Sequence, residues 1–226
     1  MVIYPVILPV AEYEHHLPSR ERAILLSRVA RQALDLSAQK TGVTLGELCK
    51  GENDAPLPCN GHYWSVSHKP RYVAAVVTQD PVGIDIEEVT PRSESIFAYV
   101  ASDEEWQLGG GKTWDVFFRY WTAKEAVLKA VGIGLGGLKK CRVVSTSPVS
   151  DRGDIVLSYE GVTFLVDQLC YDNHVASVLK NSATVQWIIP ETPPAGKAAS
   201  PWYSRTPAST QSPSLTHGQS YTPSEH

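Results

Sequence analysis

Asp85 and Glu87 stand two residues apart with Ile84 and Ile86 alternating around them. On an extended strand both carboxylates then fall on one face and both isoleucines on the other. Adjacent carboxylates repel unless a cation lies between them, and an all-oxygen donor set suits magnesium or manganese better than zinc. The same pair could equally be the solvated face of an edge strand. Farther along, Trp121, Glu125 and Lys129 are four apart in Trp121-Thr122-Ala123-Lys124-Glu125-Ala126-Val127-Leu128-Lys129, which on a helix lines them along one side. Taken alone, Glu125 and Lys129 are an ordinary i,i+4 pair worth about 0.3–0.5 kcal/mol. Taken with Asp85 and Glu87, they add a third carboxylate and a cation, the makings of a site for a metal and an anionic phosphate. His68 ends Ser65-Val66-Ser67-His68, just before Lys69-Pro70. It is either a hydrogen-bonded loop histidine or a donor facing phosphate oxygens.

The elements that must position these residues follow from hydrophobic period. Ile24, Leu25, Val29, Ala33, Leu34 and Leu36 give Arg20–Ala38 a helical spacing, with Arg20, Arg28 and Arg31 on its polar side. Strands are expected at 63–66, 72–77 and 82–87, with a turn at Gln79-Asp80-Pro81, so the three read as a meander. A helix over 102–108, capped by Ser102 or Asp103, stops at Gly109-Gly110-Gly111. The longest helix covers 115–131, and strands follow at 141–145, 155–159, 162–169 and 174–179. Two segments, Tyr72-Val73-Ala74-Ala75-Val76-Val77 and His174-Val175-Ala176-Ser177-Val178-Leu179, are similar enough to raise an internal duplication.

Three tempting motifs fail on physical grounds. Gly111-Lys112-Thr113 lacks the glycine a phosphate-binding loop needs at position 106, which is Trp106. Gly132-Ile133-Gly134-Leu135-Gly136-Gly137 follows a helix instead of joining a strand to one, so it reads as a helix stop and turn. His15 and His16 are adjacent, and their side chains diverge on any regular element.

Composition bounds the rest. The 226 residues are 42% apolar, enough for a core without staples, since a chain of this size buries roughly 70% of its unfolded surface. The net charge of −4 argues against a nucleic-acid surface. The apolar opening Met1–Pro9 lacks a basic start and is broken by two prolines, so no signal peptide is expected, and no apolar run is long enough to span a bilayer. Cys49, Cys59, Cys141 and Cys170 show neither zinc nor disulfide spacing, which points to a reduced, cytoplasmic setting. From Pro190 to His226 the chain has 7 Pro, 7 Ser and 5 Thr and no hydrophobic period, the signature of a disordered tail.

Trp64-Ser65-Val66-Ser67-His68, Val82-Gly83-Ile84-Asp85-Ile86-Glu87 and Trp121-Thr122-Ala123-Lys124-Glu125-Ala126-Val127-Leu128-Lys129, in this order, resemble the three signatures of 4′-phosphopantetheinyl transferases. The segments Arg20–Arg28 and Lys50–Pro56 further resemble the subgroup that includes the enterobactin-synthase transferase component, whose members serve siderophore, polyketide and peptide pathways. The resemblance covers residues 18–180.

It implies an α+β fold, a monomeric pseudo-dimer whose halves, residues 1–83 and 84–189, meet at the active site, with 190–226 as the tail. It also implies a reaction: coenzyme A gives its phosphopantetheine arm to a serine of an apo acyl, peptidyl or aryl carrier protein, releasing adenosine 3′,5′-bisphosphate. Carried over by residue, Asp85, Glu87 and Glu125 would hold Mg2+, or Mn2+, and Glu125 would be the base for the serine. Lys129 and His68 would meet the pyrophosphate and Ser67 would help place the nucleotide, while Arg20, Arg28 and Lys50 take the 3′-phosphate. Asp54 departs from the family's glycine before Ala-Pro, and Glu104 and Glu105 stay outside the catalytic set. The same three carboxylates would also suit a magnesium-dependent pyrophosphate hydrolase, and the fold a non-catalytic coenzyme A or carrier-binding protein.

Overall fold

The computed structural model describes residues 1–11, 17–51, 55–148 and 150–190. His15, His16, Asp54 and the expected tail beyond Pro190 lie outside the described residues. The chain runs through β1 (Val2–Ile3), β2 (Val6–Pro9), α1 (Ser19–Thr41), β3 (Tyr63–His68), β4 (Tyr72–Thr78) and β5 (Ile84–Glu88). It continues through α2 (Phe97–Val100), α3 (Asp103–Leu108), α4 (Trp114–Val131), β6 (Arg142–Thr146), β7 (Arg152–Tyr159), β8 (Val162–Tyr171), β9 (His174–Leu179) and β10 (Thr184–Val185). The mixed helix and sheet content is the expected α+β class.

The strands form a three-stranded sheet, order β2-β4-β3, a five-stranded sheet, order β5-β9-β8-β7-β6, and the parallel pair β1-β10. The meander is therefore a misreading. β3 and β4 pair as an antiparallel hairpin, but β5 leaves them to pair with β9, and β2 takes the free edge of β4. Local alternation shows that 84–88 is a strand and carries no information about its partner, which lies some ninety residues on. Between the hairpin and β5, Ser65 Oγ accepts the Ile84 N–H at 3.1 Å and so satisfies a backbone donor where the first sheet ends.

Period-2 alternation sorts the core. On β4, Val73, Ala75 and Val77 face α1, while Tyr72, Ala74 and Val76 face Ile84 and Ile86 of β5 and Ala176 and Val178 of β9. A strand covered on both faces explains its unbroken apolar run. The other face of the five-stranded sheet packs on α4 through Phe117, Val127, Leu128, Val175 and Ile155. Asp85 and Glu87, opposite in phase to the two isoleucines, are thereby turned toward α4.

The helix ends follow their caps. Ser102 caps α3 with a reciprocal capping box to Glu105, settling the choice between Ser102 and Asp103. Thr113 caps α4, which stops at Gly132 in the left-handed region (φ 78°), so the glycine run is a helix stop as expected. Gly83 allows β5 and α4 to approach: a Cβ there would sit 1.9 Å from the Ala126 carbonyl oxygen.

Candidate functional site

The end of β3, the strand β5 and one side of α4 converge on a cleft of about 360 Å³ lined by Ser67, His68, Asp85, Glu87, Glu125 and Lys129, among others. Trp121, also on its wall, donates its indole N–H to Glu87 Oε1 at 3.2 Å. The helical side Trp121, Glu125, Lys129 and the strand face Asp85, Glu87 thus meet as their spacings dictate.

Asp85 and Glu87 are buried, at 4% and 5% exposed, and each is held by donors from other elements. Asp85 Oδ1 accepts from Ser67 Oγ and from Lys129 Nζ, each at 2.7 Å, and Lys129 also donates to the Ile84 carbonyl at 3.0 Å. Glu87 Oε1 pairs with Lys69 Nζ at 2.7 Å, and Arg92 Nη2 reaches Oε2 at 3.4 Å. Asp85 Oδ2 and Glu125 Oε1 are buried and have no hydrogen-bond partner among the described residues. Such orphaned acceptors are costly unless something positive satisfies them. An oxygen-only donor set of this kind would suit a hard divalent cation. The carboxylates do not form a ready cage, however, and no cluster of three acidic, histidine or cysteine side chains is in ligating position among the described residues. Lysines stand against Asp85 and Glu87 instead.

Burial raises the carboxyl of half-buried Glu125 above its ordinary value, and the charges of Asp85 and Glu87 add to this against the opposing pull of Lys129. His68, exposed overall, is pulled the other way. Desolvation at the pocket wall, then Lys69, Lys129 and Lys50, hold its imidazole below the ordinary 6.5 and neutral near pH 7.

A second cavity of about 310 Å³ opens beside the first and shares His68, Glu125, Lys129 and Leu135 with it. Lys50 lines it, together with apolar Pro56, Val66 and Leu128. Arg20 and Arg28 lie on the exposed side of α1 and line neither cavity.

Sequence reasoning missed Lys69 and Arg92. Lys69 had a signal, a cation directly after His68 at a strand end, whereas Arg92 sits in a connection without a motif. Glu105, left out of the catalytic set, is buried elsewhere: its Oε1 takes Lys124 Nζ at 2.8 Å and the Val143 N–H at 2.7 Å, and its Oε2 the Ser102 N–H at 2.9 Å. Burial alone would raise that carboxyl, but these donors outweigh it and hold it below its ordinary value. Lys124 Nζ also reaches the Val100 carbonyl at 2.7 Å, so the residue next to Glu125 anchors α4 to α2, α3 and β6.

The family model of the 4′-phosphopantetheinyl transferase superfamily matches residues 81–178, a span that holds β5 and α4. The chain is similar to an L-aminoadipate-semialdehyde dehydrogenase-phosphopantetheinyl transferase of Xenopus laevis, 31% identical over 57% of this chain and 49% of the relative. It is 28% identical to a 4′-phosphopantetheinyl transferase of Bacillus subtilis over 50% of each chain, and 30% identical to the transferase gsp of Aneurinibacillus migulanus over 38% of each. The chain spans about half or less of the length of these curated relatives. The strand and helix that carry the cleft lie inside the span that is similar to the 4′-phosphopantetheinyl transferase superfamily.

Proposed function

We propose that the protein transfers the 4′-phosphopantetheine arm of coenzyme A to a serine hydroxyl of an apo acyl, peptidyl or aryl carrier protein, releasing adenosine 3′,5′-bisphosphate. The observation that carries this reading is the joining of three carboxylates, Lys129 and His68 in one cleft that opens into a partly apolar cavity. A polar end for a pyrophosphate and an apolar wall for an organic arm lie side by side.

Asp85, Glu87 and Glu125 would hold a divalent cation, magnesium or manganese, which when bound neutralises charge developing on the pyrophosphate. Glu125 would accept the proton of the carrier serine, and its raised carboxyl takes a proton more readily than an exposed carboxylate does. Lys129 would balance the departing phosphate oxygens. A neutral His68 keeps one N–H to donate to the pyrophosphate. Ser67, bonded to Asp85, would steady that carboxylate beside the nucleotide. Lys50 in the cavity wall, together with Arg20 and Arg28 of α1, would take the 3′-phosphate, for which the arginine fork is suited.

The two sheets, each backed by a long helix, support a pseudo-dimeric reading in which residues 1–83 and 84–189 are similar halves with the active site between them. A monomer would then be complete. No helix among the described residues is long and apolar enough to cross a membrane, and the four cysteines are free, which agrees with a cytoplasmic setting.

Release of adenosine 3′,5′-bisphosphate from coenzyme A and Mg2+, measured with and without apo carrier, tests the reading. Release only with carrier is expected. Carrier-independent release would replace the transferase with a pyrophosphate hydrolase, and none with any carrier would leave a binding protein.

A further inference from the structure

Lys69 has no part in the roles assigned above, yet it makes one of the shortest ion pairs in the cleft. Its ammonium lies 2.7 Å from Glu87 Oε1, and the two side chains differ sharply in access, 32% exposed for Lys69 against 6% for Glu87. Glu87 is fixed on β5 and braced by Trp121. Lys69, at the end of β3, has four methylenes and an open side toward solvent, so of the two partners it is the one free to move.

The charges around the cleft balance. Asp85, Glu87 and Glu125 supply three negative charges, and Lys69, Lys129 and Arg92 supply three positive ones against them. A divalent cation that takes Glu87 Oε1 beside the unpartnered Asp85 Oδ2 and Glu125 Oε1 must displace the Lys69 ammonium, and its arrival leaves the cleft with an excess of two positive charges. That excess is what a pyrophosphate neutralises. A lysine displaced from Glu87 remains on the wall of the same cleft, within reach of the incoming anion.

We propose that Lys69 is an exchangeable counter-ion: it pairs with Glu87, yields that oxygen to the divalent cation, and then pairs with a phosphate oxygen of the donor. Cation and donor are thereby taken in order, because the lysine that opposes the first assists the second. The inference rests on the proposed transferase reading for its second half only. The exchange at Glu87 concerns the cation alone.

The test uses the full chain and the variants Lys69→Gln and Lys69→Arg. Calorimetry measures Mn2+ binding without donor, then coenzyme A binding at saturating Mg2+ without carrier, so that nothing turns over. Lys69→Gln is expected to bind Mn2+ about 5-fold more tightly and coenzyme A about 10-fold more weakly, the scale of one charge-assisted contact at a partly buried site. Lys69→Arg should restore both toward the wild-type values. A merely structural lesion would weaken both ligands together, and that result would overturn the proposal. So would unchanged Mn2+ affinity in Lys69→Gln. If the wild type binds Mn2+ but not coenzyme A, the transferase reading fails, while the Mn2+ comparison still decides whether Lys69 opposes the cation at Glu87.

Discussion

Ser67 donates its hydroxyl proton to Asp85 Oδ1 across 2.7 Å, so a residue of the three-stranded sheet orients a carboxylate of the five-stranded one. Both groups are buried, at 7% and 4% exposed. The site is therefore joined across the two sheets by a bond that neither sheet makes alone.

Ser67→Ala removes one of the two donors to Asp85 Oδ1, the other being Lys129, and leaves a buried carboxylate less well held. The expected loss is about 1–2 kcal/mol of stability, with a several-fold rise in the Mg2+ concentration needed for half-maximal transfer. Thermal unfolding and a Mg2+ titration of the rate check both. An unchanged Mg2+ requirement would separate Ser67 from the ion site.

Gly83, just before β5, lets the chain lie directly against the backbone of α4. Gly83→Ala would place a Cβ 1.9 Å from the Ala126 carbonyl oxygen, a collision that only a backbone shift can relieve. A loss of roughly 3 kcal/mol is expected, as for severe overpacking. Because Ala126 follows Glu125 on the helix, activity should fall further than the unfolded fraction explains. Urea unfolding beside the specific rate measures the two.

The Lys124–Glu105 pair, with Lys124 1% exposed, anchors α4 behind the cleft. Lys124→Met strands a buried carboxylate and should cost about 3–5 kcal/mol. The double variant Lys124→Met, Glu105→Gln removes that charge while keeping one amide oxygen to accept either the Val143 or the Ser102 N–H, and should recover part of the loss. A double-mutant cycle by urea unfolding reads the coupling; additive losses would contradict the pairing.

His174 on β9 is 1% exposed. Its Nδ1 lies 2.7 Å from the Asp172 carbonyl, its ring meets Tyr72 edge-on at 4.8 Å, and its Nε2 has no partner among the described residues. Burial holds the imidazole below 6.5, with Arg71 adding to this, against the opposing pull of the Asp172 carbonyl and the Glu88 and Asp172 charges. A base depressed in the folded state is protonated first in the unfolded chain. Stability should then be steady above pH 6.5 and fall as pH drops through the window just below it, by at most about 1.4 kcal/mol per pH unit. His174→Gln should flatten the urea midpoint between pH 7.5 and 5.5. An equal slope in both proteins would show that His174 does not titrate with unfolding.

Much of the site was legible because its geometry is local. The i,i+2 spacing on β5 and the i,i+4 spacing on α4 each fix a face, and those two faces meet in the cleft. What could not be read was pairing at a distance. β1 and β10 are two-residue strands too short to show a period, and they find each other across the whole described chain. β2 is four residues long and ends on a proline at the edge of the sheet, and β5 was joined to the wrong neighbours because alternation names no partner. In the same way Lys69 and Arg92 matter only through Glu87, a relation no spacing encodes, and the capping-box spacing Ser102 to Glu105 gave no hint that Glu105 also binds Lys124.

In the proposed reaction Glu125 and its neighbouring carboxylates move a phosphopantetheine arm onto a carrier serine. Intact-mass spectrometry of apo carrier proteins after incubation with the protein, coenzyme A and Mg2+ tests it directly, with Glu125→Ala as the control. A gain of about 340 Da, one phosphopantetheine on a serine, is expected, and it should disappear with Glu125→Ala although that variant remains folded. An equal gain with Glu125→Ala, or no gain on any carrier while coenzyme A still binds, would contradict it.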